Sequence, residues 1–210
     1  MRIFKTYNDD PISSPKNDIV CTESRFISRK PVTLILREKL FEFSDDDFII
    51  KDTNNTEYFK CKEKINRFKE KKTIYDLCET PILNIHHKIL SLRKYIKIYS
   101  DENEQRQLAS IHKKSLFSIK KYIIEFYNKA TEQKEYLEMK CDYFSFTCGI
   151  FYGKEKEGAP LICKVTNGLD AKLLFTTQEN YYCQIASGVD LAFMIALSIC
   201  FEEYRNDNDL

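Results

Sequence analysis

Short segments of alternating or mostly apolar residues follow one another along the chain from residue 32 to residue 185. Val32–Arg37 and Phe48–Lys51 are rich in β-branched residues and Phe, and Tyr95–Tyr99 alternates strictly between apolar and polar positions. Clusters of Asp, Asn, Thr and Pro separate these segments, as at residues 52–55. Such segments, bounded by turn residues, predict about a dozen short β-strands joined as an antiparallel meander.

The pattern changes near the C-terminus, where Val189–Phe201 carries a single charged residue, Asp190. A helix that is apolar around its whole circumference has to be buried on every side. The uncharged part, Leu191–Phe201, spans roughly 16 Å as a helix, whereas a bilayer core needs roughly 30 Å. We therefore predict a helix in the protein core. Ser187 is the predicted N-cap, with the carboxylate of Asp190 three residues later at the positive end of the helix dipole.

Many short strands and one wholly apolar helix are best accommodated by a closed antiparallel barrel with the helix inside it. Closure also removes the exposed strand edges that an open sheet of this kind would present. The predicted fold class is therefore mainly β, with about twelve strands around a central C-terminal helix.

Three stretches of the chain resemble the LURP-one-related family, whose fold belongs with the tubby C-terminal domain and the phospholipid scramblases. They are the opening meander Thr33–Phe43 with Asp47–Asp52, the middle unit Ile74–Ile85, and the close Gly188–Glu203. The resemblance extends over residues 26–204 and implies a twelve-stranded barrel around a central helix. It implies little about activity, because one fold can carry many functions.

The chain is predicted to be one domain, residues 26–210, preceded by a flexible tail. Residues 1–25 contain Pro11, Pro15 and several small polar residues without a sustained period. The 33 basic and 32 acidic side chains nearly cancel, so no overall field attracts the protein to nucleic acid. Any electrostatic function has to be local.

The clearest local charge is a basic segment that we interpret as a connection between strands. It holds seven basic and two acidic residues, a net charge of +5. Anionic lipid head groups are the predicted ligand, because each Lys or Arg near an anionic membrane contributes about 1 kcal/mol, and tubby-like proteins that bind phosphoinositides support this reading. The alternative is a solvated loop with no ligand. The candidate residues are Lys60, Lys62, Lys64, Arg67, Lys69, Lys71 and Lys72.

No motif in the sequence predicts catalysis, a metal site or a cofactor. The eight cysteines include no CxxC pair and no zinc-like pairing with histidine. Asp45, Asp46 and Asp47 lack the spaced ligands of a calcium loop. His86 and His87 are adjacent on a predicted strand and so face opposite sides.

We therefore predict a non-enzymatic binding or scaffold module that recognises anionic phospholipid, phosphoinositides above all. The alternative is a protein–protein interaction module in a stress or defence response, as the resemblance to the LURP-one-related family implies. The first residues form no apolar signal region. We expect a cytoplasmic location, with the nucleus or peripheral attachment to a membrane as alternatives.

Overall fold

The computed structural model of the protein describes residues 7, 9–37, 48–66, 69–87, 96–100, 103, 105–114, 121–142, 147–166 and 180–206. Three predicted features lie outside these residues. They are the part of the predicted meander at residues 38–43, the acidic residues Asp45, Asp46 and Asp47, and Arg67 of the basic segment.

Twelve antiparallel strands and one α-helix build the described part of the chain. The strands are β1 (Val32–Arg37), β2 (Phe48–Asp52), β3 (Glu57–Asn66), β4 (Lys69–Tyr75), β5 (Pro81–His87), β6 (Ile96–Tyr99), β7 (Gln107–Lys113), β8 (Lys121–Asn128), β9 (Gln133–Asp142), β10 (Thr147–Phe151), β11 (Leu161–Thr166) and β12 (Asn180–Ile185). The helix α1 is Leu191–Asn206.

The strands form a closed barrel in which each strand pairs with its neighbours in sequence. β1 closes the ring by pairing antiparallel with β12, with Val32 opposite Ile185 and Leu34 opposite Cys183. Side chains alternate between the interior and the outer face of the barrel, as the strict alternation of burial along β8 illustrates. The predicted closed antiparallel barrel is confirmed.

The helix α1 fills the barrel interior, which explains why it is apolar on all sides. Every side chain from Leu191 to Phe201 is at most 5% exposed. The helix contacts β12 and β5, and the ring of Phe193 lies 5.3 Å from that of Phe126 on β8. This confirms the predicted role of the helix as the centre of the core.

The start of the helix differs from the prediction in the residue that caps it. Oδ1 of Asp190 accepts a hydrogen bond from the backbone N–H of Phe193 at 3.1 Å, so Asp190 itself is the N-cap. Ser187 lies in the turn before this point. The predicted N-cap was therefore three residues too early, because Ser and Asp are both good caps and the sequence offers both.

Residues 9–31 pack along the barrel, which differs from the flexible tail expected for residues 1–25. The backbone N–H of Ser13 donates to the carbonyl group of Leu161 on β11. Ile19 is fully buried and forms a parallel bridge with Val189. Apolar residues in this segment have no periodic pattern because they follow the barrel surface as irregular chain, and periodicity analysis overlooks such packing.

Candidate functional site

The basic segment forms the β3–β4 hairpin rather than a connection between strands. Its register places Lys62 opposite Thr73, Glu63 opposite Lys72 and Lys64 opposite Lys71. Because Cys61 and Ile74 face the interior, the alternation of a strand assigns the even positions of β3 and the odd positions of β4 to the outer face. The predicted lysines are therefore divided between two faces.

Lys72 does not belong to the outer surface. It is 6% exposed, and it is on the interior row with Ile85 as its cross-strand neighbour on β5. Sequence reasoning counted it because it is adjacent to Lys71, but adjacent residues of a strand face opposite sides.

Lys60 and Lys62 share one acidic partner, Glu79, in the turn between β4 and β5. Nζ of Lys62 lies 2.9 Å from Oε2 of Glu79, and Nζ of Lys60 makes an ion pair with Oε1. Hydrogen bonds from the two lysines lower the pKa of Glu79 below its ordinary value, and the bond from Lys60 makes the larger contribution. Nζ of Lys62 also lies 5.4 Å from the centre of the Tyr75 ring. Together Lys60, Lys62 and Glu79 present a net charge of one rather than two.

Two further candidate residues are placed by their backbone register alone. Lys69 is the first residue of β4 and is opposite Asn66, the last residue of β3. Lys64 is opposite Lys71, which is two residues after Lys69 along β4.

A row of four basic residues crosses the barrel wall from β3 to β6. Lys64 is opposite Lys71, Lys71 is opposite His86, and His86 is opposite Lys97. We call these four positions the basic row. Neighbouring strands are about 4.8 Å apart, so the four backbone positions span a line of roughly 15 Å. The side chains of Lys71 and Lys97 are half-buried, and the side chain of His86 is 7% exposed.

Sequence reasoning missed His86 and Lys97 because cross-strand pairs are distant along the chain. A local signal for Lys97 did exist. It lies between Ile96 and Ile98, both fully buried, and alternation therefore assigns Lys97 to the outer face. The charge of the basic segment alone gave no reason to include β6.

The wall beside the basic row is tightly packed and polar. Oγ1 of Thr73 donates to Oδ1 of Asn84 at 2.7 Å, and both residues are buried. The ring of His86 packs edge-on against Tyr99, with the ring centres 5.1 Å apart. Within the described part of the chain, the buried amide group Nδ2 of Asn84 has no hydrogen-bond partner. The cross-strand row next to the basic row therefore contains a hydrogen-bond donor that no described residue accepts.

The arrangement suits a polyanion better than a single carboxylate. Like charges directly opposite each other on neighbouring strands destabilise a sheet, and an anion bound across the row would relieve that repulsion. Charge-assisted hydrogen bonds from lysine to phosphate oxygens are also among the stronger polar contacts.

The cysteines do not extend this site. All eight are free, and all except Cys78 are buried. Four line the barrel interior as two close pairs, with Sγ–Sγ distances of 3.7 Å for Cys141 and Cys148 and 3.5 Å for Cys163 and Cys183. Burial raises the pKa of the Cys148 and Cys163 thiols well above the ordinary value, so these groups are poor nucleophiles.

Two structural observations bear on the class of site. Within the described ranges, no three or more His, Cys, Asp or Glu side chains lie close enough together to hold a metal ion. None of the helices in the described part of the chain combines the length and apolar character that a bilayer crossing requires.

Comparison with known proteins places this barrel in a family. The family model described as LURP-one-related matches residues 32–202, which is most of the chain and includes all twelve strands and most of α1. The chain belongs to the LURP-one-related family.

Similarity to individual LURP-one-related proteins is low in identity and nearly complete in length. Protein LURP-one-related 15 of Arabidopsis thaliana is 19% identical over 198 residues, which are 93% of this chain and 90% of that protein. Protein LURP-one-related 10 of the same plant is 19% identical over 187 residues, 87% of this chain and 95% of that protein.

A solved structure supports the fold of this LURP-one-related chain. A crystal structure of an Arabidopsis thaliana protein aligns with a TM-score of 0.61 at 15% identity, over 88% of this chain and 97% of that one. At this identity the likeness establishes the barrel and leaves the ligand to be argued from the site.

Proposed function

We propose that the protein is a non-enzymatic binding module that recognises anionic phospholipid head groups, with phosphoinositides as the preferred class. The basic row is the observation that carries this proposal. Cross-strand pairing places Lys71 opposite His86 and His86 opposite Lys97; the side chains of Lys71 and Lys97 are half-buried, and that of His86 is buried between them.

The charge of this face is sufficient for reversible membrane attachment. Each lysine close to an anionic membrane surface contributes about 1 kcal/mol. Lys71 and Lys97, together with the net charge of the Lys60, Lys62 and Glu79 group, therefore give about 3 kcal/mol in total. That value corresponds to weak binding that depends on ionic strength, as expected of a peripheral protein.

For the buried cysteines, thiol chemistry supports the non-enzymatic part of the proposal. Thiolate is the reactive form of cysteine, and burial raises the pKa of Cys21, Cys148 and Cys163 well above the ordinary value.

The proposed place of action is the cytoplasmic face of a membrane, which is where anionic lipids produce a negative surface potential.

Flotation with liposomes tests the proposal. Purified protein is mixed with phosphatidylcholine liposomes that contain increasing amounts of phosphoinositide, at low and at high salt. We expect co-flotation that rises with phosphoinositide content and falls at high salt. No association at low salt would overturn the lipid proposal, and a pull-down for one dominant protein partner would then test the alternative interaction module.

A matched pair of variants locates the site. Lys71→Glu with Lys97→Glu reverses two charges of the basic row, and Lys16→Glu with Lys156→Glu makes the same charge change at two exposed lysines outside it. We expect the first variant to lose flotation and the second to keep it. Equal loss in both would mean that overall charge, rather than the basic row, governs binding.

The variants need to remain folded for this comparison. Melting temperatures of both double variants provide that control. If the first variant unfolds, Lys71→Gln with Lys97→Gln removes the charges without introducing acidic groups beside His86, and the same comparison applies.

A further inference from the structure

Two thiols on neighbouring strands face each other in the barrel interior. Cys141 on β9 is directly opposite Cys148 on β10, and their sulfur atoms are 3.7 Å apart. The pair lies one position inward from the ends of the two strands, where Asp142 is opposite Thr147. Since the sulfur atoms of a disulfide are about 2.0 Å apart, the question is whether the backbone allows the remaining approach.

The backbone of this pair already has the separation that a disulfide requires. Residues directly opposite each other on antiparallel strands have Cα atoms about 4.5 or 5.5 Å apart, depending on their place in the hydrogen-bond ladder. Both values lie within the range of about 4.4–6.8 Å found in disulfides. A bond between Cys141 and Cys148 therefore requires rotation of the two side chains and no displacement of β9 or β10.

The second thiol pair is closer in sulfur distance but less favourably placed in the backbone. The sulfur atoms of Cys163 on β11 and Cys183 on β12 are 3.5 Å apart, yet the register places Cys183 opposite Val165. Cys163 is thus a diagonal neighbour of Cys183, and such positions are about 7–8 Å apart. Cysteines whose Cα atoms are more than about 7 Å apart cannot be bridged without backbone movement.

A hydrogen bond to the central helix also holds Cys183 as a thiol. Oγ of Ser198 donates its hydrogen to the carbonyl group of Met194 at 2.8 Å. A hydroxyl group has only one hydrogen to donate, so the sulfur is the donor in the 3.2 Å contact between Cys183 and Ser198. A disulfide at Cys183 would remove this hydrogen bond.

Exposure separates the two pairs in the same direction. Cys141 is 4% exposed, whereas Cys148, Cys163 and Cys183 are fully buried. A small oxidant therefore meets the sulfur of Cys141 first. We propose that Cys141 and Cys148 form a redox-modification site, at which a hydroperoxide converts the two thiols into a disulfide that joins β9 to β10.

The reaction balances with one hydroperoxide for each pair of thiols. The sulfur of Cys141 attacks one oxygen of hydrogen peroxide, the O–O bond breaks, and the products are a sulfenic acid and one water. The sulfur of Cys148 then attacks the sulfenic sulfur, the S–O bond breaks, and the thiol proton of Cys148 leaves with the second water. Two electrons pass from the thiols to the peroxide, and a dithiol reductant reverses the change by exchange.

Burial makes this reaction slow, which suits a response to sustained oxidation. It raises the pKa of the Cys148 thiol well above its ordinary value, and the thiol form is the poorer nucleophile. The site is independent of the proposed lipid surface, because the basic row crosses β3 to β6 and shares no strand with this pair.

Oxidation of the folded protein, followed by mapping of the bonds, tests the proposal. Cys78→Ser protein, which lacks the exposed thiol, is treated with hydrogen peroxide at neutral pH, and the remaining thiols are then alkylated in denaturant. Trypsin releases Cys141 and Cys148 together in the peptide 141–154, because Lys140 and Lys154 flank a stretch without Lys or Arg.

We expect the peptide 141–154 to escape alkylation at both thiols and to weigh two hydrogen atoms less than its reduced form. Dithiothreitol should restore both thiols. Cys163 and Cys183 fall in different tryptic peptides, and both should be recovered as alkylated monomers. A disulfide between these two, formed as readily as the first, would overturn the argument from the backbone register.

Two alanine variants form the matched comparison, since each removes one fully buried thiol of a close pair. Cys148→Ala should abolish the disulfide within the peptide 141–154, and Cys163→Ala should retain it. Melting temperatures show whether both variants are folded, and the mapping in Cys78→Ser protein decides the question without them. Thiols at Cys141 and Cys148 that stay reduced under conditions that oxidise Cys78 in the parent would overturn the proposal, as would a disulfide that forms only in denaturant.

Discussion

The hydroxyl group of Thr22 donates a 2.7 Å hydrogen bond to Oδ2 of Asp190, across 168 residues of sequence. The same oxygen accepts the backbone N–H groups of Thr22 at 2.7 Å and of Cys21 at 3.1 Å. Because Oδ1 caps Phe193, a single buried carboxylate joins the segment before the barrel to the start of the central helix. Burial raises the pKa of Asp190, and these hydrogen bonds limit the rise.

Asp190→Ala should destabilise the protein strongly. The change leaves three buried backbone N–H groups without their acceptor, and each such group costs about 1–3 kcal/mol. We expect the free energy of unfolding to fall by at least about 2 kcal/mol, with a melting temperature lower by about 4–8 °C for a chain of this length. Urea unfolding followed by circular dichroism measures the first quantity.

Ser187→Ala is the matched control for the capping assignment. If Asp190 alone caps α1, the free energy of unfolding of this variant should lie within about 0.5 kcal/mol of that of the parent. A larger loss for Ser187→Ala than for Asp190→Ala would contradict the assignment and restore Ser187 as the cap.

Gly149→Ala should loosen the packing of Tyr7. An added Cβ at Gly149 would lie 2.9 Å from Cε1 of Tyr7, whose buried ring packs edge-on against Phe151. Overpacking of this kind costs about 1–3 kcal/mol, partly offset because alanine orders the strand at lower entropic cost than glycine. We expect limited proteolysis to cleave before Ser13 faster than in the parent.

Tyr7→Ala provides the test of mechanism for that prediction. In a Tyr7→Ala background, the Cβ added by Gly149→Ala no longer meets the Tyr7 ring, and only Cε2 of Phe151, at 3.1 Å, remains close. The two changes should therefore be non-additive in a double-mutant cycle. Additive effects would mean that Gly149 is required for another reason.

The general architecture was predictable because it depends on local periodicity. Ile96-Lys97-Ile98 alternates as a barrel strand should, and Leu191–Phe201 is apolar on every side because it is enclosed. The packing of Ile19 against Val189 and the hydrogen bond from Cys21 to Asp190 were not predictable, since both join residues more than 160 positions apart.

The candidate site was only partly predictable for the same reason. Composition identified the basic segment, but strand alternation separates Lys71 from Lys72, and only the register brings His86 and Lys97 beside Lys71. Local charge therefore indicated the kind of ligand, whereas the surface itself required the three-dimensional pairing.

Cys78 should be the only thiol that reacts readily in the native protein. It is exposed in the turn between β4 and β5, whereas the other seven cysteines are buried. Titration with Ellman's reagent should show one fast thiol under native conditions and all eight in denaturant. Cys78→Ser should abolish the fast phase, and a fast phase that persists in this variant would place a second thiol at the surface.

Asp76 should make folding stability depend on acidity. Its Oδ1 accepts hydrogen bonds from the backbone N–H groups of Thr80 and Cys78 at 2.9 and 3.0 Å, and its Oδ2 accepts one from Nη1 of Arg25 at 3.0 Å. These hydrogen bonds lower the pKa of Asp76 below its ordinary value of 3.8. The bond from Thr80 makes the largest contribution, and the bond from Arg25 makes the next largest lowering contribution. Because the pKa is lower in the folded state, the carboxylate stabilises the fold fully above the ordinary value and loses this effect as the pH falls through the lowered one.

Melting temperatures of the parent and of Asp76→Asn, measured from neutral pH down into the acid range, isolate this contribution. The asparagine keeps an oxygen that can accept from Thr80 and Cys78 but carries no charge at any pH. We therefore expect the parent to be more stable at neutral pH, with the difference shrinking once the pH falls below about 4. Other carboxylates titrate in the same range, but they are common to both proteins and cancel in the difference. A difference that stays constant down to the lowest pH would show that the ionisation of Asp76 is not linked to folding.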